Sequence, residues 1–245
     1  MHKLEPGNLE IIQSVQKRVS SSVANQGLLI DLSTDSCKRY LKGKVNTNDE
    51  LVIMYIDIAG STQMSHDILP RDLSIMIQIF SQEVSLSIER FGGHVLKFVG
   101  DAVIALFPCE YNSGIAINNA LECAQSIHQI IKEGINPIFQ KNSFPEISVK
   151  IGIEYGTALV LVYGQNVHHA PIDLIGFSIS IASKITSMAY PNEIIVGENI
   201  YDNISDSEKQ YFLALYDDHQ DKWNSVMKYN NNLKYHIYKY IKNNP

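Results

Sequence analysis

Val52-Ile53-Met54-Tyr55-Ile56-Asp57-Ile58-Ala59-Gly60-Ser61-Thr62 is the stretch on which the reading of this chain turns. An apolar, β-branched run ends in one carboxylate, and a Gly-Ser-Thr break then opens a long helix. The run is too hydrophobic to lie on a surface, so it predicts a buried strand with Asp57 at its mouth. An unpaired charge in such a place costs on the order of several kcal/mol. Asp57 therefore either caps the following helix, as Asp often does, or holds a metal ion.

Downstream, Leu73, Met76, Ile77, Phe80, Val84, Ile88 and Phe91 recur at three and four. That spacing predicts an amphipathic helix with Pro70 near its first turn and Gly92-Gly93 at its end. His94–Val99 and Ala102–Phe107 then read as two strands about Gly100-Asp101, a strong short-range hairpin signal. A second helix carries Ile117, Leu121, Ala124, Ile127 (or His128) and Ile131, and Gly134 and Pro137 are expected to end it. Glu146–Glu154 and Leu159–Tyr163 are expected to pair about Tyr155-Gly156-Thr157. A helix through Ile179, Ala182, Ile185 and Met188, a strand at Glu193–Val196, a short helix near Asn199–Ile204 and a final strand at Tyr235–Tyr240 complete the order. The fold class is α+β, a ferredoxin-like βαββαβ core whose antiparallel-rich sheet has helices on one face.

Residues 1–48 read as an N-terminal helical and loop extension, with Leu9, Ile12, Val15 and Val19 at helical spacing, and residues 49–245 as the main domain. The net charge of −6 argues against a nucleic-acid partner. Cys37, Cys109 and Cys123 have no metal-binding or redox spacing and fit a reducing compartment. No apolar run approaches the roughly 20 residues that span a bilayer, so no membrane and a cytoplasmic location are expected.

Chemistry concentrates where two carboxylates converge. In such a frame Asp57 and Asp101 project from neighbouring strand ends at the same edge of the sheet. Two close carboxylates repel and share a proton unless divalent cations sit between them. Oxygen ligands of this kind favour Mg²⁺ or Mn²⁺, and such sites commonly work with phosphates. Gly60-Ser61-Thr62 lies between them at a helix N-terminus, where free N–H groups suit a polyphosphate. Taken alone, Asp101 is equally a turn residue, Lys97 a snorkelling strand lysine and Asp173 a loop residue. His168-His169 reads as a loop, and Trp223 as packing.

These motifs resemble those of the class III nucleotidyl cyclases, the adenylyl and guanylyl cyclase catalytic domains, over about residues 50–205. Tyr55–Thr62 is similar to the family's first metal motif and Lys97–Ala102 to its second. Asp173-Leu174-Ile175-Gly176 with Ile181-Ala182-Ser183-Lys184 is similar to the third. The resemblance implies two divalent cations on Asp57 and Asp101, with the Ile58 carbonyl as a further ligand. It implies that Lys97 and Asp173 read the adenine edge and that Lys150 touches phosphates. Ser180 and Lys184 stand where the family has its transition-state Asn and Arg; serine reaches less far, and lysine loses the planar two-pronged fit. It further implies a substrate, ATP or another nucleoside triphosphate, bound across a head-to-tail homodimer. A UTP, CTP or GTP cyclase and a nucleotide sensor without turnover are the alternatives.

Overall fold

The computed structural model describes residues 6–25, 27, 32–166, 170–215 and 235–242. Two helices, α1 (Pro6–Asn25) and α2 (Asp35–Lys42), precede strand β1 (Asn48–Ile58). Then come α3 (Ser61–Asp67), α4 (Pro70–Arg90), β2 (His94–Val99), β3 (Ala102–Pro108) and α5 (Ser113–Gln129). A π turn over Ile130–Ile135 leads into α6 (Asn136–Lys141), followed by β4 (Val149–Val162), β5 (Ile172–Ile175) and α7 (Phe177–Met188). The chain continues with β6 (Glu193–Gly197), α8 (Glu198–Asp202), α9 (Asp206–Lys209), β7 (Phe212–Ala214) and β8 (Ile237–Tyr240). The strands form one sheet in the order β2-β3-β1-β4-β6-β8-β7, with β5 paired to β4. Among the described residues only the β4–β6 pairing is parallel. The βαββαβ frame is present, and β7 and α9 are additions that the sequence pattern did not announce.

The sheet is covered on both faces rather than one. Alternate residues of β1 are all apolar, so each side of the strand needs a cover. Val52, Met54 and Ile56 pack with α4, α5 and the buried Ile12, Val15 and Val19 of α1. Leu51 and Ile53 face the other way, against Cys37 and Leu41 of α2 and Ile179 and Ala182 of α7. Leu9, at the same helical spacing as Ile12, is exposed. Tyr40 and Leu41 lie in α2; His168-His169 and Trp223 fall outside the described residues.

Three local expectations give way. The long helix after Asp57 is two helices, because Pro70 forces Leu69 into extended backbone (φ −58°, ψ 137°) and breaks the chain there. Gly134 and Pro137 do not end a helix. The missing N–H of Pro137 falls in the first turn of α6, where it costs nothing, and Gly134 in the π turn admits Val15 of α1. Gln16 of α1 donates to the Glu133 carbonyl (2.7 Å) in that same turn, and Arg18 forks onto the buried Glu83 of α4 (2.6 and 3.0 Å). Finally, Tyr155-Gly156-Thr157 makes no turn: β4 runs straight through it, paired to Val52, Leu51 and Glu50 of β1. Gly156 is needed for approach, since a Cβ there would sit 3.2 Å from Ser178 of α7.

One buried ionisable group lies in β4 itself. Glu154 of β4 is fully buried, accepting from the Tyr235 hydroxyl and from the Tyr155 amide (2.9 Å). Burial pushes its carboxyl up to about 7 from an ordinary 4.5. The folded chain thus binds a proton that the unfolded chain has lost, so stability is greatest below about 4.5 and falls as pH rises to about 7. Glu154→Gln is expected to flatten that decline in melting temperature measured between these limits; an unchanged slope would assign it to other groups.

Burial likewise pushes the Cys37 and Cys109 thiols up to about 12, and raises that of Cys123 further, so all three stay protonated at neutral pH. Among the described residues no helix is long and apolar enough to cross a membrane.

Candidate active site

The first cluster forms where β1, β3 and β4 end together. β1 pairs with β3 up to Ile56 opposite Val103, which brings Asp57 beside the Gly100-Asp101 turn. Gly100 takes the left-handed backbone (φ +62°) that this two-residue hairpin connection requires. On the other side Asp57 stands opposite Lys150 of β4, whose Nζ lies 3.4 Å from Asp57 Oδ2. Burial raises the Asp57 carboxyl above the ordinary carboxylate range, the Asp101 charge raises it further, and Lys150 acts in the opposite direction. Asp101 Oδ2 is buried and has no hydrogen-bond partner among the described residues. A buried acceptor without a partner beside a second carboxylate of raised pKa is a set of oxygen donors suited to a hard cation.

The donor set fits Mg²⁺ or Mn²⁺. Hard divalent cations take one or two protein carboxylates and complete their shells with water and substrate phosphate. Among the described residues no group of three or more His, Cys, Asp or Glu converges anywhere, which removes the denser cages typical of zinc. Ile58 closes β1 at the same end, where Ala59 N–H donates to the Ser148 carbonyl (2.8 Å). Gly60, at φ +76°, is the N-cap of α3 with no side-chain cap, so the amides of Ser61 and Thr62 are left to other acceptors. That helix has only 7 residues, and its dipole is correspondingly short.

A second cluster lies on the α2/α7 face of the sheet. Lys97 Nζ donates to Asp173 Oδ2 at 2.5 Å, across 76 residues of sequence, and Asp173 Oδ1 accepts from the Leu174 amide at 2.9 Å. The hairpin register makes this pair possible. Counted back from the Gly100-Asp101 turn, Val99, Phe98 and Lys97 stand opposite Ala102, Val103 and Ile104, and the Ile104 side chain belongs to the α2/α7 layer. A β-bulge between Val95 and Lys97 then sets Val95 opposite Ala105, in the opposite layer.

Ser180 and Lys184, one turn apart on α7, join Lys97 and Ile175 around a cavity of about 410 Å³. α7 comes this close because Gly152 of β4 has no side chain: a Cβ there would overlap Thr186 Oγ1 and lie 2.8 Å from the Ala182 carbonyl. The Ser180 hydroxyl donates back to the Gly176 carbonyl (3.0 Å). Neither Asp57 nor Asp101 lines the cavity, so within one chain the carboxylate pair and the Lys97–Asp173 pair are separate clusters. Tyr55 and Ser183 line it although their chemistry was not singled out in the sequence. The available signal was parity: Tyr55 is two residues from Asp57 on a strand and shares its face.

The cavity beside the Lys97–Asp173 pair and the separate carboxylate pair sit on one α+β domain with a βαββαβ sheet. The model of the adenylate and guanylate cyclase catalytic domain matches residues 44–224, and the chain belongs to that family. It is 26% identical to a cytidylate cyclase of Escherichia coli over 170 residues, covering 66% of this chain and 36% of that protein. It is 29% identical to an adenylate cyclase of Anabaena cylindrica over 171 residues, covering 68% of this chain and 33% of that one. The chain thus spans about a third of the length of either relative. Its fold is similar to the crystal structure of the adenylyl cyclase CyaB from P. aeruginosa (TM-score 0.66, 18% identity), with 81% of this chain and 96% of that chain covered.

Proposed function

We propose that this chain is a class III adenylyl cyclase that converts ATP to 3′,5′-cyclic AMP and pyrophosphate in a head-to-tail homodimer. The Lys97–Asp173 pair at the cavity carries the base assignment. Lysine donates to adenine N1 while the carboxylate accepts from the 6-amino group; guanine offers a carbonyl and an N–H at those places, and uracil a carbonyl and an N–H likewise. The ribose 3′-oxygen attacks the α-phosphorus, a new P–O bond forms, and the bond to pyrophosphate breaks. Two divalent cations on Asp57, Asp101 and the Ile58 carbonyl would favour the ionised 3′-hydroxyl and hold the triphosphate. Lys150, 3.4 Å from Asp57, would exchange that carboxylate for a phosphate oxygen. Gly60, Ser61 and Thr62 offer amides to the same phosphates, and Ser180 and Lys184 serve the transition state.

The separation of the two clusters supports the dimer that the family resemblance implies: Asp57 and Asp101 of one copy would face Lys97, Asp173, Ser180 and Lys184 of the other, giving two equivalent sites. On this reading residues 49–245 are the catalytic domain, residues 1–48 are an extension whose helices pack onto it, and the substrate pool is that of a cytoplasm.

One observation favours a second base. Cytosine carries an amino donor beside a ring-nitrogen acceptor, as adenine does, so the same pair accepts CTP, and one relative is a cytidylate cyclase. Incubating the protein with each of the four nucleoside triphosphates and Mn²⁺, then separating products chromatographically, decides the matter. Cyclic AMP is the expected main product. Cyclic CMP or UMP in its place would overturn the ATP assignment, and no product from any nucleotide would leave a sensor.

A further inference from the structure

α7 carries Ser180 and Lys184, and its place against the sheet is fixed from two sides. Side chains alternate along a strand, so β4 presents Gly152, Glu154 and Gly156 on the face that meets this helix. The two glycines let α7 in, one against Thr186 and the Ala182 carbonyl, the other against Ser178. Between them, the fully buried Glu154 turns its carboxyl towards β6, into a slot that exists because Gly197 has no side chain. A Cβ at Gly197 would overlap Glu154 Oε2 and lie 2.7 Å from the Tyr235 hydroxyl. In that slot one carboxyl oxygen accepts from the Tyr235 hydroxyl and the other from the Tyr155 N–H (2.9 Å).

This tether places the Tyr235 ring. The ring meets Phe177 edge-on (centroids 5.7 Å apart, planes at 72°) and packs with Ile181, Ile185 and Met188 of α7, Ile195 of β6 and Ile237 of β8. Phe177, Ile181, Ile185 and Met188 follow one another at spacings of four, four and three, which makes them one flank of α7. Ser180, Ser183 and Lys184 lie on the neighbouring flank, at the cavity. A helix gripped along one flank cannot roll, and a roll is the motion that would carry Ser180 and Lys184 out of the cavity.

Resting on the proposed nucleotide-cyclase reading, we infer that Tyr235 is a positioning residue for the cyclising step: tethered by Glu154, its ring fixes the rotation of α7 and with it the places of Ser180 and Lys184. Neither Tyr235 nor Glu154 lines the cavity, so both act through the helix. Asp57, Asp101, Lys97 and Asp173 lie on β1, the β2–β3 hairpin and β5, outside α7. Loosening α7 therefore slows the chemical step and leaves nucleotide binding as it was.

Tyr235→Phe keeps the ring and removes the tether. Glu154→Gln keeps the tether without the charge: its amide carbonyl accepts from the Tyr155 N–H while its NH₂ donates to the Tyr235 oxygen. Single-turnover rates with ATP (or CTP, should that be the better substrate) and calorimetric affinity for the 3′-deoxy form of the same nucleotide with Mg²⁺ are measured well below the melting temperature of each protein. Tyr235→Phe is expected to slow chemistry about tenfold or more, as small misplacements of catalytic groups do, with affinity unchanged. Glu154→Gln is expected to match wild type in both. An unchanged rate in Tyr235→Phe, or an affinity loss as large as the rate loss, would make Tyr235 a packing residue and overturn the inference. Equal slowing in Glu154→Gln would overturn it too, by assigning the effect to the carboxylate charge. Should Tyr235→Phe not fold, Phe177→Ala removes the same ring contact from an exposed position and carries the same expectations. Hydrogen exchange in peptides covering residues 177–188 needs no turnover. Faster exchange there in the variant than in wild type, with no product from either, would keep the positioning role and defeat the cyclase reading; unchanged exchange would overturn the inference.

Discussion

Replacing Asp57 with alanine is expected to lower turnover of every nucleoside triphosphate by at least about a thousandfold, since metal charge stabilisation of several kcal/mol is lost. The same substitution is expected to leave the melting temperature of the metal-free protein unchanged or slightly raised. Asp57 is half-buried beside a second carboxylate, its charged form is disfavoured there, and its one opposing cation, Lys150, is 3.4 Å away. Removing it relieves repulsion against Asp101 while costing one weak ion pair. Metal titration separates the two roles. Mn²⁺ at about a hundredfold above its dissociation constant should stabilise wild type by about 2.7 kcal/mol, read as a higher melting temperature, and should not do so for Asp57→Ala. Turnover surviving the substitution would remove Asp57 from the metal site and with it the two-cation scheme.

The second large effect runs in the opposite direction. Ser180→Asn combined with Lys184→Arg is expected to raise the rate of the chemical step about a hundredfold or more, the usual worth of one preorganised donor to a developing charge. Ser180 is short, and its hydroxyl is already spent on the Gly176 carbonyl of its own helix. An asparagine amide reaches past that carbonyl into the cavity, and arginine offers two parallel donors where lysine offers a point charge. Single-turnover measurements are the right readout, because they isolate chemistry from product release. Unchanged single-turnover rates with normal nucleotide binding would mean that these two positions do not touch the transition state.

What the sequence revealed, and what it hid, follows from which features are local. β1 and the β2–β3 hairpin were legible because a continuous apolar run and a Gly-Asp dipeptide each have few structural meanings. The proximity of Asp57 to Asp101 followed from the frame those elements imply. β4 was misread because a glycine between Tyr155 and Thr157 resembles a turn, whereas Gly156 and Gly152 both exist to let α7 approach. That purpose lies in a helix some twenty or more residues further along and leaves no local trace. The end of α5 was misread for a related reason: Gly134 answers to Val15, which lies on the other side of the core. The second face of the sheet was hidden only by the choice of a one-layer frame, since the unbroken apolar character of β1 already demanded two covers. The Lys97–Asp173 contact could be named through family resemblance, but its geometry could not be read, because it joins side chains 76 residues apart on two strands that do not pair with each other.

The β2–β3 hairpin has a consequence for how such a site evolves. Faces along a strand are counted in steps of two from the turn, so a residue gained or lost between Lys97 and Gly100 would carry Lys97 through the sheet, whereas loss of the bulged residue would leave it opposite Ile104. The face that the lysine occupies and the aspartate in the turn thus belong to one hairpin yet can change independently, through a codon gained or lost rather than a codon altered.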